Sequence, residues 1–226
     1  MAIRLCRLGL VDYQAVHQLQ LRLVAARLAG AEDDVILVTE HPPVFTLGRR
    51  GRRDHLLVSE SFLAAHGIEL IHIERGGDIT YHGPGQLVIY PVLDLRRLRR
   101  SITEHVGALE ELMLRLAADC GVTAVRDGRG RGIWCGGAKL GSVGIAVRHG
   151  VACHGLALNV APDLLPFTWI NPCGLSGVRM TSLARESGRE VTVHWVTRHL
   201  LQILQDLLGR PVAAIDRLEL PWPEVA

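Results

Sequence analysis

Residues 75–86 read RGGDITYHGPGQ, a run of glycines and hydrogen-bonding side chains between two apolar stretches. The flanking residues 69–74 (ELIHIE) and 86–95 (QLVIYPVLDL) are both typical of strands. Paired glycines let a backbone lie flat against a ligand and leave its N–H groups unshielded. The run contains neither the GK[ST] of a P-loop nor a GxGxxG pattern. It therefore predicts a ligand-binding loop of another kind, the alternative being a Gly/Pro-rich surface turn.

Outward from this run, helices alternate with short apolar strands. Asp12 is expected to cap a helix ending near Gly30, and residues 101–104 (SITE) predict a capping box for a helix running to Gly121. Thr192 is expected to cap one last helix closed by Gly209. Further predicted elements are strands at 35–38, 69–74, 86–95, 139–148 and 151–159 and a short helix at 61–66.

These strands outnumber the helices and often follow each other directly, which favours an α+β fold with a mixed sheet flanked by helices. Residues 1–226 are expected to form one catalytic domain, in which a small C-terminal lobe could begin at about residue 191. No stretch approaches the length of a membrane span, and residues 1–7 do not resemble a signal peptide. Five scattered cysteines without CxxC pairs indicate free thiols, so we expect a cytoplasmic protein.

The formal net charge of +2 gives no reason to expect general nucleic-acid binding. Every basic residue except Lys139 is arginine. Coding bias explains most of this skew, yet a lysine retained in such a background can mark a position that needs an amine. Arginine stays charged at any working pH, whereas lysine can gain and lose a proton. Lys139 also lies in a glycine-rich stretch, residues 135–144 (CGGAKLGSVG).

Cys173 lies in residues 171–175 (NPCGL), where Pro and Gly predict a turn that exposes the thiol. Most cysteines are small buried hydrophobic residues, and this interpretation suits Cys6, Cys120 and Cys153. A nucleophilic cysteine needs a nearby cation, histidine or helix N-terminus to lower its pKa, and Lys139 is the candidate cation.

Other signals are weaker. Cys135, Cys153 and His154 match no standard zinc spacing, so no metal and no cofactor are predicted. Residues 129–132 (RGRG) lack the aromatic residues of a nucleic-acid site. The arginine clusters at 49–53 and 96–100 are either solvated surface or docking sites for an acidic macromolecule.

The run at 75–86, with Tyr90, resembles the signature of the lipoyl(octanoyl) transferases. Lys139 with residues 142–144 (SVG), then 154–159 (HGLALN), then 172–174 (PCG) follow in that family's order, and residues 41–48 (HPPVFTLG) are also similar. The resemblance covers about residues 10–210, and the sequence departs from it at Leu140 and Gly141, where Ile-Ala is common.

The resemblance implies the fold of biotin and lipoate protein ligases and an acyltransferase of lipoate biosynthesis. Octanoyl would pass from acyl carrier protein to a lysine of lipoyl domains, those of 2-oxoacid dehydrogenases and the glycine cleavage H protein, with no nucleic-acid or membrane partner and a monomeric enzyme. Cys173 would hold the acyl thioester, and Lys139 would lower its pKa. The implied acyl-site residues are Arg75, Gly76, Gly77, Asp78, Ile79, Thr80, Tyr81, His82, Ser142, Val143, Gly144, Gly155, Leu156 and Ala157.

Four alternatives stay open at this point, one of them a nucleic-acid-binding role that would rest only on the arginine clusters. An ATP-dependent lipoate ligase of the same fold would need a nucleotide site and no nucleophilic cysteine. A cysteine amidotransferase that moves octanoyl between carrier proteins would use similar chemistry. A non-catalytic acyl-binding module would bind acyl groups without turnover.

Overall fold

The computed structural model describes residues 3–31, 33–172 and 177–222. The strands are β1 (Ile3–Leu10), β2 (Val35–Glu40), β3 (Val44–Leu47), β4 (Glu69–His72), β5 (Ile79–His82), β6 (Gln86–Asp94), β7 (Gly132–Cys135), β8 (Ala138–Arg148), β9 (Val151–Asn159) and β10 (Val212–Ile215). The helices are α1 (Tyr13–Leu28), α2 (Glu60–Ala65), α3 (Ile102–Asp119), α4 (Leu183–Ser187), α5 (Val193–Val196) and α6 (Leu200–Leu208). None of the helices within these ranges is long and apolar enough to cross a membrane.

Within the described residues, seven strands form one mixed sheet in the order β10-β1-β2-β6-β9-β8-β7. The pairs β10–β1 and β1–β2 are parallel, and the remaining neighbours are antiparallel. A second sheet has the order β4-β3-β5. This mixed architecture confirms the fold class predicted from the sequence.

The large sheet has helices on both faces. Apolar residues of α3 and α6, such as Leu112, Leu116 and Ile203, pack on one face in one core cluster. Val16, Leu19 and Leu23 of α1 belong to a second cluster with β1, β2 and β6. The small sheet and α2 enclose a third cluster around Phe45.

The predicted helix caps of α1 and α3 are confirmed. Asp12 accepts a hydrogen bond from the Ala15 N–H at 2.9 Å, which satisfies one of the free donors of the first turn. Ser101 and Glu104 form the complete capping box, in which each side chain accepts from the other residue's N–H.

Two predictions of local structure were wrong. Residues 79–82 form strand β5 instead of continuing the loop, because they pair with β3 in the small sheet. The single last helix is divided into α5 and α6 by a 3₁₀ turn at Thr197–His199. Arg7 is hydrogen-bonded at this interruption, where its guanidinium donates to the Thr197 carbonyl at 2.8 Å and to Thr197 Oγ1 at 2.6 Å.

Candidate active site

The predicted acyl-site residues meet around one cavity, which we call the central pocket. It lies where β5, β8 and β9 approach the start of α1. All the predicted acyl-site residues except Tyr81 line it. Tyr81 belongs to the core of the small sheet, where its ring contacts Phe45 and Phe167 at centroid distances of 5.2 and 5.3 Å. Thr80 and His82, on either side of Tyr81 in β5, both line the pocket. Because successive strand residues point to opposite faces, Tyr81 points away from it.

The glycine-rich run is held against the loop after β3. Arg75 is 8% exposed, and its guanidinium donates to the Thr46 carbonyl at 2.7 Å and to Thr46 Oγ1 at 2.8 Å. The N–H of Arg49 donates to the Arg75 carbonyl, and a Cβ at Gly48 would lie 2.6 Å from the Gly77 carbonyl. This close backbone approach requires glycine at residue 48, and it holds the run in one conformation.

Asp78 connects this run to the residues that precede Cys173. Its carboxylate accepts from the Ile79 N–H at 2.7 Å and lies 2.6 Å from His55 Nδ1. The carbonyl of His55 in turn accepts from the Asn171 N–H at 2.8 Å. The segment that leads into Cys173 is therefore tied to the wall of the central pocket.

A buried chain of hydrogen bonds starts at His82. Its Nδ1 lies 2.7 Å from Gln86 Oε1, and Gln86 Nε2 donates to Asn159 Oδ1 at 2.9 Å. Asn159 Nδ2 then donates to the Thr181 carbonyl at 2.9 Å. Burial lowers the pKa of His82 to about 3, so the ring is neutral. Since Nδ1 must donate to the Gln86 oxygen, Nε2 is left as an acceptor.

Lys139 is 1% exposed, which is unusual for a lysine. Its Nζ lies 5.4 Å from the centre of the Trp134 ring, within the range of a cation–π contact. The Lys139 N–H donates to the Arg179 carbonyl, and its carbonyl accepts from the Thr181 N–H. The segment that follows residues 173–176 is thus paired with the backbone of Lys139.

Cys173, predicted as the nucleophile, lies outside the described residues. Its described neighbours on either side, Pro172 and Gly177, both line a groove of about 590 Å³ with Arg179 and Thr181, which we call the outer groove. The four remaining cysteines are Cys6, Cys120, Cys135 and Cys153, and burial raises the pKa of each of them. A thiol with a raised pKa is a poor nucleophile at neutral pH.

The pocket has an aromatic wall that the sequence analysis did not assign to the site. Tyr13 stacks on His82 with a centroid distance of 5.7 Å, and Tyr90 O–H lies 2.9 Å from His41 Nε2. Burial lowers the pKa of His41 to about 4, so this ring is neutral, donates to the Val11 carbonyl and accepts from Tyr90. Tyr13, Val88, Tyr90 and His154 all line the pocket. Tyr13 shares the buried face of α1 with Val16 and Gln20, so helical periodicity could have placed it there.

A second groove, the basic groove, opens beside the central pocket. It has a volume of about 570 Å³, and Arg50, Arg129 and Arg131 line it together with Gly76, Gly77, Val143 and Gly144, which also line the central pocket. Gly130 lies on this groove, and a Cβ at that residue would be 3.7 Å from Lys139 Nζ. The groove therefore extends from exposed arginines to the neighbourhood of the buried amine.

Comparison with known proteins agrees with this arrangement. The lipoyl protein ligase A/B catalytic domain family matches residues 12–205. The chain belongs to this family. The octanoyltransferase of Desulfotalea psychrophila is 55% identical over 205 residues, which cover 89% of this chain and 92% of that protein. The octanoyltransferase of Syntrophobacter fumaroxidans is 45% identical, with 98% and 95% covered.

Solved structures share the fold at low sequence identity. A putative lipoate protein ligase from Thermoplasma acidophilum with bound lipoic acid has a TM-score of 0.75 and 17% identity, covering 96% of this chain and 90% of that one. The biotin protein ligase of Aquifex aeolicus in complex with biotin and ATP has a TM-score of 0.56 and 12% identity, with 92% and 71% covered. The family, the fold and the acyltransferase class predicted from the sequence are thereby confirmed.

Proposed function

We propose that this chain transfers an octanoyl group from octanoyl-acyl carrier protein to a lysine of lipoyl domains, through a thioester on Cys173. Three residue groups that lie on different strands and loops share one pocket and support this proposal. The run at 75–82, the β8 segment 142–144 and the β9 segment 155–157 share the central pocket. Relatives of nearly the same length bear the name octanoyltransferase.

The central pocket suits an acyl chain in its chemical character. Val88, Val143 and Leu156 supply apolar surface, while His82 and Tyr90 supply polar groups at fixed positions. The pocket glycines at residues 144 and 155 keep the wall thin. A Cβ at Gly155 would lie 2.1 Å from the Ile89 carbonyl, so residue 155 must be glycine for β9 to lie against β6. We assign the predicted acyl-site residues, apart from Tyr81, to this pocket.

The pairing of Cys173 with Lys139 is supported from both sides of the 173–176 segment. Asn171 is tied to the pocket wall through His55, and Arg179 and Thr181 are hydrogen-bonded to Lys139 itself. Both anchors bring the flanks of the nucleophile to the lysine and the central pocket. The proposed pair consists of a Cys173 thiolate and a Lys139 ammonium, each of which favours the charged form of the other.

The reaction then proceeds in two half-reactions. The Cys173 thiolate attacks the thioester carbonyl of the carrier, and the leaving carrier thiolate takes the proton of the Lys139 ammonium. In the second half, the acceptor amine attacks the Cys173 thioester and gives its proton to the neutral Lys139 amine. The Cys173 thiolate leaves, and the ion pair is restored.

Backbone N–H groups must stabilise the oxyanion of each half-reaction. Gly76 is not a candidate in this structure, because its N–H donates to the Ile145 carbonyl at 2.8 Å. Gly77 and residues 142–144 are the remaining candidates. His82, neutral and held by Gln86, is assigned a positioning role.

The basic groove is the proposed docking site for the carrier, which would be an acidic protein that presents its acyl group on a flexible arm. Arg50 belongs to the predicted cluster at 49–53 and lines this groove with Arg131. The second predicted cluster, residues 96–100, follows Asp94, at the opposite end of β6 from Gln86. Only the first cluster is therefore assigned to carrier docking. The enzyme would bind the carrier and the lipoyl domain in the cytoplasm, where the Cys173 thiol stays reduced.

Transfer without nucleotide is the decisive test of the reaction class. Purified protein, octanoyl-carrier and a lipoyl domain should yield octanoylated lipoyl domain in the absence of ATP, measured by intact mass. Free octanoate should not serve as donor under the same conditions. Product that forms only with ATP and a free acid would contradict the proposal and favour a ligase.

A further inference from the structure

His17, Glu74 and His154 form a compact cluster on one side of the central pocket. His17 Nε2 lies 3.1 Å from one carboxylate oxygen of Glu74, and His154 Nε2 lies 3.6 Å from the other. One donor atom from each residue can be chosen so that all three lie within 4.8 Å of one another. Within the described residues, no other group of three or more His, Cys, Asp and Glu side chains is arranged in this way.

The three residues come from separate elements that the fold brings together. His17 lies on α1, Glu74 directly precedes Arg75, and His154 lies in β9. The backbone of His154 has a φ of 54°, in the left-handed region that residues other than glycine rarely adopt. Its N–H donates to Gln20 Oε1 of α1 at 2.8 Å. A hydrogen bond from α1 thus holds this strained backbone in place.

The His154 ring is buried without a hydrogen bond of its own. The residue is 2% exposed, and neither ring nitrogen has a hydrogen-bond partner among the described residues. Unsatisfied buried polar atoms are rare and costly in native structures. Glu74 Oε1 lies 3.6 Å from His154 Nε2, just beyond hydrogen-bond distance, and the centroids of the His17 and His154 rings are 5.5 Å apart.

We propose that His17, Glu74 and His154 bind one divalent transition-metal ion, with Zn²⁺ the best match. Two imidazoles and one carboxylate are an established zinc ligand set that leaves a fourth position for water. Ligand atoms on a tetrahedral zinc ion lie about 3.4 Å apart. The histidine nitrogens lie 3.1 and 3.6 Å from the two oxygens of Glu74, close to this value, and one donor atom from each residue lies within 4.8 Å of the others, so side-chain rotations would complete the site.

Solvent access and local charge decide how such an ion would enter. The side chains of His17 and Glu74 are 14% and 24% exposed, so the cluster can be reached from outside. Arg148 competes with a cation, because its guanidinium lies 3.2 Å from Glu74 Oε1. The Arg148 side chain is 48% exposed and can turn into solvent when metal binds. Its removal should therefore strengthen metal binding.

The experiment measures metal binding by metal-free protein carrying Cys173→Ser, so that the active-site thiol does not contribute. Titration with Zn²⁺ should give one ion per chain, and Co²⁺ should give the visible absorption of a four-coordinate ion without thiolate bands. His17→Gln should weaken binding at least tenfold. Arg148→Gln should tighten it several-fold. These measurements do not depend on acyl transfer, so their failure would leave the proposed function intact.

His194→Gln is the matched control, since it removes an exposed histidine on α5 and should bind metal like the parent. Circular dichroism confirms that each variant is folded. The proposal is overturned if the parent binds no stoichiometric metal, or if His17→Gln and the parent bind equally. A purely structural cluster would give one of these two results.

Discussion

Lys139 is a buried amine in a chain where every other basic residue is arginine. The proposed reaction needs this residue to be a cation before acylation and a base after it. The fold supplies the setting for this change, because Trp134 and Gly130 surround Nζ while the backbone is paired with residues 179 and 181.

Lys139→Arg separates the two roles, since arginine keeps the charge and cannot serve as the base. We expect overall transfer to fall about 100-fold or more, the usual size of a general-base contribution. Acylation of Cys173 should be affected less than transfer to the lipoyl domain, because a carrier thiolate can leave without a proton from residue 139, whereas the acceptor amine must lose one. Single-turnover measurement of the two half-reactions checks this. If both half-reactions slow by the same factor, the switching role of Lys139 is wrong.

The sequence predicted which residues belong to the site better than it predicted the contacts between them. Lys139 stands out by composition and the run at 75–86 by its glycines, and neither signal depends on the fold. Tyr13 is marked only by the helical periodicity of α1, and His154 only by its place in the 154–159 motif. Their place in the pocket depends on how α1 packs against β9, which local sequence does not encode. His82 likewise acquires its neutral state and orientation from Gln86, Asn159 and burial.

At the level of elements, α3 carries a buried histidine against the sheet. His105 is 1% exposed, and neither ring nitrogen has a hydrogen-bond partner within the described ranges. Burial, with a smaller contribution from Arg100, lowers the pKa of His105 to about 4 from 6.5. A folded-state pKa below the unfolded value gives stability that is present above pH 6.5 and lost as the pH falls towards 4.

His105→Leu removes this titration and keeps an apolar side chain in the core. We expect the variant to gain about 2 kcal/mol over the parent on going from pH 7.5 to pH 5, because only in the parent does unfolding expose a histidine that takes up a proton at pH 5. Urea unfolding at the two pH values measures the difference. His194→Leu, at an exposed position of α5, should show no such gain. An equal difference between His105→Leu and the parent at both pH values would rule out the histidine as the cause.

Helices and strands were predicted correctly where capping residues and apolar periodicity within the segment determine them. Asp12 and Ser101 are strong caps, and the apolar periods of α1 and α3 are long enough to be recognised. The short strands β3, β5, β7 and β10 were missed because each contains only four residues, and β3, β5 and β10 also pair with strands distant in sequence. The division between α5 and α6 was also missed, and it lies where Thr197 is hydrogen-bonded to Arg7, 190 residues away in sequence.

At the scale of the whole molecule, the basic groove joins a charged surface to the central pocket. Two large protein partners must bind at one reaction centre in turn. Surface charge should therefore change the rate at which they associate with the enzyme more than the rate of acyl transfer. This distinguishes the groove arginines from the residues of the pocket.

Arg50→Glu combined with Arg131→Glu should raise KM for octanoyl-carrier about tenfold at low salt and leave kcat within about twofold. The effect should shrink as salt is added, because exposed charges are screened. Arg97→Glu combined with Arg99→Glu makes the same change of charge at the second cluster and should leave KM unchanged. Steady-state kinetics at two salt concentrations provide the measurement. Equal effects of the two double variants would show that net charge, and not the groove, is responsible.

The whole reaction depends on one covalent intermediate at Cys173. The most direct measurement incubates the protein with octanoyl-carrier, without acceptor, and determines the mass of the intact chain and of the peptide containing residue 173. A covalent intermediate predicts one octanoyl group on Cys173, none on Cys173→Ser, and loss of the group when a lipoyl domain is added. A chain that transfers octanoyl at full rate but carries no acyl group on Cys173 would contradict it.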